Sequence, residues 1–275
     1  MNKSLIIAAT ALVLILTSPL THAHRAWVKP STTAVSGDSE WITFDAAIAN
    51  GIFHPDHFAY PVERLSVVSP AGQPVTIQHQ QKLRYRSVFD VELTETGTYK
   101  VFTASQSLMA FWQDEDGERH RWPGRGETAS VEDFYDSVPQ DARDLMVMET
   151  ANRLEVYVTL GAPTSQTNTL TGKGLELKAL THPNDAYTGE DIAFQFFMNG
   201  EAAEGTKVTV VKDGEKYRDT AAGLETTADS KGNITLQFDE PGMYWLEAEL
   251  EDDKVSPPAM KRRASYVLVF EVLSL

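Results

Sequence analysis

Two stretches decide the fold: Phe89–Val101, FDVELTETGTYKV, and Leu236–Leu246, LQFDEPGMYWL. Each reads as a strand, an acidic turn, a Gly-x-Tyr and a returning strand. Gly97 and Gly242 stand where a tight turn needs backbone angles that a side chain disfavours. Tyr99 and Tyr244 start the returning strands, as corner tyrosines do in immunoglobulin-like sandwiches. One such unit in each half of the chain is a weak internal repeat, and it predicts two tandem Ig-like antiparallel β-sandwich domains.

The surrounding sequence agrees. Glu40–Ala49 (EWITFDAAIA) sets Ile42, Phe44, Ala46 and Ile48 on one face, and Arg84–Leu93 alternates Tyr85, Phe89, Val91 and Leu93 with charged residues. Asp191–Met198 and Asn233–Phe238 repeat the pattern. Period-two alternation marks half-buried strands. Turn signals such as Ser69-Pro70-Ala71-Gly72 and Lys212-Asp213-Gly214 punctuate them at short intervals, which favours an all-β class over βαβ units.

The chain divides as follows. Residues 1–23 read as a cleaved signal peptide: Lys3 is a basic start, Leu5–Leu16 (LIIAATALVLIL) an apolar core, and Thr21-His22-Ala23 a cleavage site. That apolar run is about 12 residues long, short of the roughly 20 that cross a bilayer as a helix. The predicted protein is therefore exported to the periplasm, has no transmembrane segment once processed, and begins at His24. Residues 24–160 form the first sandwich, interrupted by a long polar loop over 113–144 in which a short helix starts near Ser130, with Asp133 as capping partner. A linker covers 161–174, and 175–275 form the second sandwich.

Composition excludes several chemistries. There is no cysteine, hence no disulfide, thiolate ligand or cysteine nucleophile. The net charge of −15 disfavours nucleic acid as a partner. No serine-nucleophile elbow, zinc-protease helix, phosphate loop or dinucleotide fingerprint is present, so the chain reads as a non-enzyme.

Histidines are then the main borderline metal ligands, suited to nickel, cobalt, copper or zinc. Cleavage after Ala23 gives His24 a free α-amine beside its imidazole. These groups titrate near 7.7–8.0 and 6.5 in unperturbed peptides, so both become neutral donors at little cost and can chelate one ion. His54 and His57 lie in Gly51-Ile52-Phe53-His54-Pro55-Asp56-His57-Phe58, which Pro55 keeps out of helical geometry. Loops and a strand terminus meet at the end of a sandwich, so the expected metal set is His24, His54 and His57. Asp56 and His120 are secondary candidates. His79 reads as hairpin surface and His182, before Pro183, as structural.

The opening His24-Arg25-Ala26-Trp27-Val28-Lys29-Pro30 resembles that of domain-of-unknown-function family 4198. So do Gly174-Leu175-Glu176-Leu177-Lys178-Ala179, Asn199-Gly200-Glu201, Thr227-Ala228-Asp229-Ser230-Lys231-Gly232 and Pro241-Gly242-Met243-Tyr244. The resemblance implies a periplasmic β protein associated with nickel or cobalt uptake, delivering its ion to a membrane transporter or receptor. Arg25 stands where many relatives carry an acidic residue. Two other readings stay open: a protein- or glycan-binding double sandwich using Trp112 and Trp122, and an oxidative enzyme built on an N-terminal-histidine copper centre.

Overall fold

The computed structural model describes residues 24–124, 127, 129–218 and 223–275; the segment read as a signal peptide lies outside them. The chain opens with β1 (Arg25–Pro30), β2 (Ala34–Val35), β3 (Glu40–Ala49), β4 (Phe58–Ala59), β5 (Ser66–Val68), β6 (Gln78–Lys82) and β7 (Ser87–Leu93). A long hairpin ribbon follows, of β8 (Gly97–Gln113), β9 (Arg119–Trp122), helix α1 (Val131–Ser137) and β10 (Arg143–Leu160). The remainder holds β11 (Leu175–Ala179), β12 (Ile192–Met198), β13 (Glu201–Ala202), β14 (Lys207–Lys212), β15 (Leu224–Thr227), β16 (Asn233–Leu236), β17 (Gly242–Asp252) and β18 (Lys261–Val272).

These strands build three sheets, and the fold is the all-β, sandwich-built one expected from the alternation. One sheet is ordered β1-β3-β7-β6 with β4 beside β3, and another β11-β12-β13 with β16 beside β12. Between them lies a nine-stranded sheet, β15-β14-β17-β18-β10-β8-β5, with β2 on β10 and β9 on β8. The two halves are joined through it. Met148–Val156 of β10 run parallel to Lys261–Val269 of β18, so the first half's last strand pairs with the second half's last strand.

Alternation along these strands explains the layering. Val267 and Val269 of β18, with Met243 and Trp245 of β17, pack in the core under the β1-β3-β7 sheet. Their neighbours Ala264, Tyr266, Leu268 and Phe270, with Tyr244, Leu246 and Ala248, pack in the core under β11-β12. Successive side chains leave opposite faces of a strand, so the central sheet is covered on both sides.

The corner tyrosines are in place. Tyr99 Oη accepts from the amides of Thr94 (3.0 Å) and Glu95 (2.7 Å), and Tyr244 Oη donates to the Glu240 carbonyl (2.7 Å). Gly97 sits at φ +129, and a Cβ there would come within 2.8 Å of Pro70 Cβ. A side chain at this corner is ruled out by backbone angle and by space alike.

The stretch 113–144 departs from the predicted loop. It contains β9 and α1, and Ser130 and Asp133 do form the expected capping box. Trp122, Phe134 and Val138 close over Ala110 and Val147 as a small core of their own. Phe134 and Val138 have the four-residue spacing of a helix face, but Trp122 stands twelve residues before Phe134, so no single period links β9 to the helix it packs on.

A buried ionic cluster pins the linker to the central sheet. Glu155 Oε2 accepts from the phenols of Tyr157 (2.7 Å) and Tyr266 (2.9 Å), while Arg153 lies 3.2 Å from Oε1. Arg153 also reaches Glu176 at 3.3 Å, and the amides of Thr171 and Gly172 cap Glu176 at 2.8 and 2.7 Å. Burial, with the Glu155 charge behind it, holds both phenols well above the ordinary tyrosine range, so they remain donors. Glu155→Ala leaves Arg153 buried with one partner fewer and should cost about 3–5 kcal/mol. Urea denaturation measures this; an unshifted midpoint would contradict the assigned role.

Candidate metal centre

β1 and β4 both pair antiparallel to β3, on its two edges, so they start at the same end of the sheet. Arg25 is opposite Ala49, and Phe58 opposite Ile48. His24 precedes β1 and His57 precedes β4. Register alone therefore brings two histidines thirty-three residues apart to one sheet end. Their imidazoles are stacked, with centroids 3.7 Å apart and planes 10° from parallel. Phe58, 57 % exposed, lies against the His57 ring at 4.0 Å. The pair is open to solvent on the side of His24.

His54, the third expected member, and Asp56, a secondary candidate, are placed differently. His54 is exposed, in the turn where its backbone bridges to Gly51. Among the described residues, the ligand atoms of His24, His54 and His57 do not all lie within 4.8 Å of one another. Phe53 adopts φ +56, and the Asp56 carboxylate accepts from the Asn50 amide (2.9 Å) and side chain (3.3 Å). Asp56 thereby closes the loop that delivers His57. The remaining histidines sit elsewhere. His120 is on β9, bonded to Asp114, and His79 Nδ1 lies 2.9 Å from Asp90 Oδ2. His182 is structural: Nε2 donates to the Thr164 carbonyl (3.1 Å) and Nδ1 accepts from the Asn184 amide (3.0 Å). Burial lowers its pKa, in keeping with that neutral, doubly bonded ring.

A residue the sequence did not flag holds the two histidine-bearing segments together. Glu215 lies in a 3₁₀ turn, Glu215–Tyr217, that Gly214 opens at φ +84. Its carboxylate accepts from Arg25 Nη1 at 3.1 Å and from the Ile52 amide at 2.9 Å. It thus binds the residue after His24 and the loop leading to His57. Trp245 reinforces the arrangement: its indole N–H donates to the Ala26 carbonyl at 3.0 Å, and the Arg25 guanidinium lies 5.6 Å over its ring. Arg25 is therefore a strut of the site and not one of its ligands. An acidic residue directly after a Lys-Asp-Gly turn carries no sign, in sequence, of a partner some 190 residues away.

A family model described as a domain of unknown function, DUF4198, matches residues 21–252. The chain is a DUF4198 protein. Among curated proteins none matches it in sequence. Solved structures aligned with this DUF4198 chain include the D0–D1 domain of intimin, at 13 % identity over 88 % of this chain and 96 % of that one, with a TM-score of 0.20. The native conformation of E. coli alpha-2-macroglobulin aligns at 11 % identity, over 90 % of this chain and 14 % of that one, with a TM-score of 0.22. A DUF4785 family protein from Legionella pneumophila aligns at 10 % identity, over 80 % and 50 %, with a TM-score of 0.22. No helix among the described residues is long and apolar enough to cross a membrane.

Glu247 gives this end of the DUF4198 fold a pH signature. Desolvation foremost, and then Glu249, raise its pKa to about 7, against the opposing pull of Arg25 and Arg263. Its folded-state value exceeds the ordinary carboxylate value of 4.5, so the native state binds the proton more tightly and stability falls as pH rises from about 4.5 to about 7. Glu247→Gln removes that penalty. It should raise the melting temperature in mildly alkaline buffer and change it little in mildly acidic buffer; equal shifts in both would contradict the assignment.

Proposed function

We propose that this DUF4198 protein is an exported, periplasmic metal-capture protein that takes up a nickel, cobalt or copper ion at His24 and His57 for delivery to a membrane transporter or receptor. The observation that carries the reading is the stacked pair of imidazoles, brought together by strand register and held by Glu215. Imidazole–metal bonds are about 2.0–2.1 Å long and lie in the ring plane, so sharing one ion requires the two parallel rings, 3.7 Å apart at their centroids, to turn about their side-chain torsions until a nitrogen of each points at it. Export with cleavage after Ala23 adds the α-amine of His24 as a third nitrogen. Nitrogen donors without thiolate suit borderline divalent ions.

The glycan- or protein-binding reading rests on exposed aromatics. Trp122 is spent in that respect, 9 % exposed and packed against Phe134 at 5.5 Å. Trp112, half-buried on β8, remains partly open to solvent.

Calorimetric titration of the chain beginning at His24 tests the proposal, with Cu²⁺ as the strongest binder at nitrogen sites. His24→Ala and His57→Ala should each abolish the tightest site, and His54→Ala should leave it intact. Wild-type affinity in the His57→Ala variant would overturn the assignment.

A further inference from the structure

We propose that the β8–β9 hairpin tip is a second, separate divalent-metal site, made by Asp114, Glu118 and His120. One ligand atom from each of these three residues lies within 4.8 Å of the other two. The turn that presents them is built by its own backbone. The Asp114 amide donates to the Glu118 carbonyl at 3.0 Å, the Glu118 amide donates to Asp114 Oδ1 at 2.8 Å, and Gly117 takes φ +81. Asp114 Oδ2 is left facing His120 Nε2 at 2.8 Å. Adjacent ligands on a tetrahedral ion, each bonded at about 2.1 Å, stand about 3.4 Å apart. An ion therefore replaces the bridging proton once the Asp114 and His120 side chains part by roughly 0.6 Å, and Glu118, exposed on the same turn, supplies the third donor.

Two further features point the same way. Trp112 sits directly across the ladder from His120 and stacks on it, with centroids 5.3 Å apart and planes at 19°, which fixes the imidazole plane. A surface pocket of about 330 Å³, lined by Phe111, Trp112, Gln113, Arg119, His120 and Asp144, adjoins the ring and leaves it reachable from solvent. Alternation along β9 turns Arg121 away from the face that carries His120, whereas Arg119 lines the pocket beside it. One imidazole with two carboxylates suits Zn²⁺, Co²⁺ or Mn²⁺ in place of the soft ions that thiolates select.

The site stands apart from His24 and His57, on a different sheet, and its test is arranged so that either can fail alone. Co²⁺ is titrated into the His24→Ala/His57→Ala chain, following tryptophan fluorescence and the visible absorption of bound cobalt. The expected result is one equivalent bound with quenching of Trp112. Affinity should fall by about tenfold or more in Asp114→Asn and in His120→Ala. Trp112→Phe should keep the cobalt absorption and lose most of the quenching, with unchanged circular dichroism in every variant. Absence of Co²⁺ binding at micromolar concentration, or binding indifferent to both Asp114→Asn and His120→Ala, would overturn the proposal.

Discussion

The parallel pairing of β10 with β18 is the constraint from which the rest of the structure follows. It merges the last strand of each half into one sheet whose two faces are both buried, and every residue of the Tyr266–Phe270 run is committed to one core or the other. A strand with two apolar faces has no solvent side. The β1-β3-β7 sheet and the β11-β12 sheet therefore act as covers for a common middle layer. The ionic cluster around Glu155 and Glu176 fills the place where the linker crosses that layer.

The candidate metal centre inherits its geometry from this arrangement. β1 lies over Trp245 of the central sheet and is tied to it through Ala26, while Glu215 binds both Arg25 and Ile52. His24 is thus positioned by residues from the far half of the chain, although it stands where a processed protein would begin. Terminal residues are generally mobile unless tied down; here an indole, a guanidinium and a carboxylate do the tying. The hairpin tip at Asp114–His120 is organised differently, by contacts within a few residues of one another, so it does not depend on the layering.

Much of this was legible in the sequence because it is local. Alternation in Glu40–Ala49 and Asp191–Met198, the Gly-x-Tyr corners, and the Ser130–Asp133 cap are all properties of neighbouring residues, and each is found in the structure. What escaped is non-local. Leu154–Leu160 and Tyr266–Phe270 announce buried strands, but nothing in either names the other as partner. β9 and its small core were hidden because Trp122 stands twelve residues before Phe134 and no period links the strand to the helix. In the candidate site, His24 and His57 meet as expected from the idea that loops and termini share a sandwich end. His54 and Asp56 were grouped with them by proximity in sequence, whereas the turn at Phe53 and the Asp56–Asn50 bonds give those two other positions and roles. Glu215 could not be foreseen, since its partners lie at the other end of the chain.

The central functional claim is that His24 and His57 bind one ion together. Electron paramagnetic resonance of the Cu²⁺-loaded chain, begun at His24 and carrying His120→Ala to silence the hairpin, tests it most directly. The account predicts nitrogen couplings from two imidazoles on a single copper, reduced to one by His57→Ala. A spectrum with one imidazole or none, unchanged by that substitution, would contradict it.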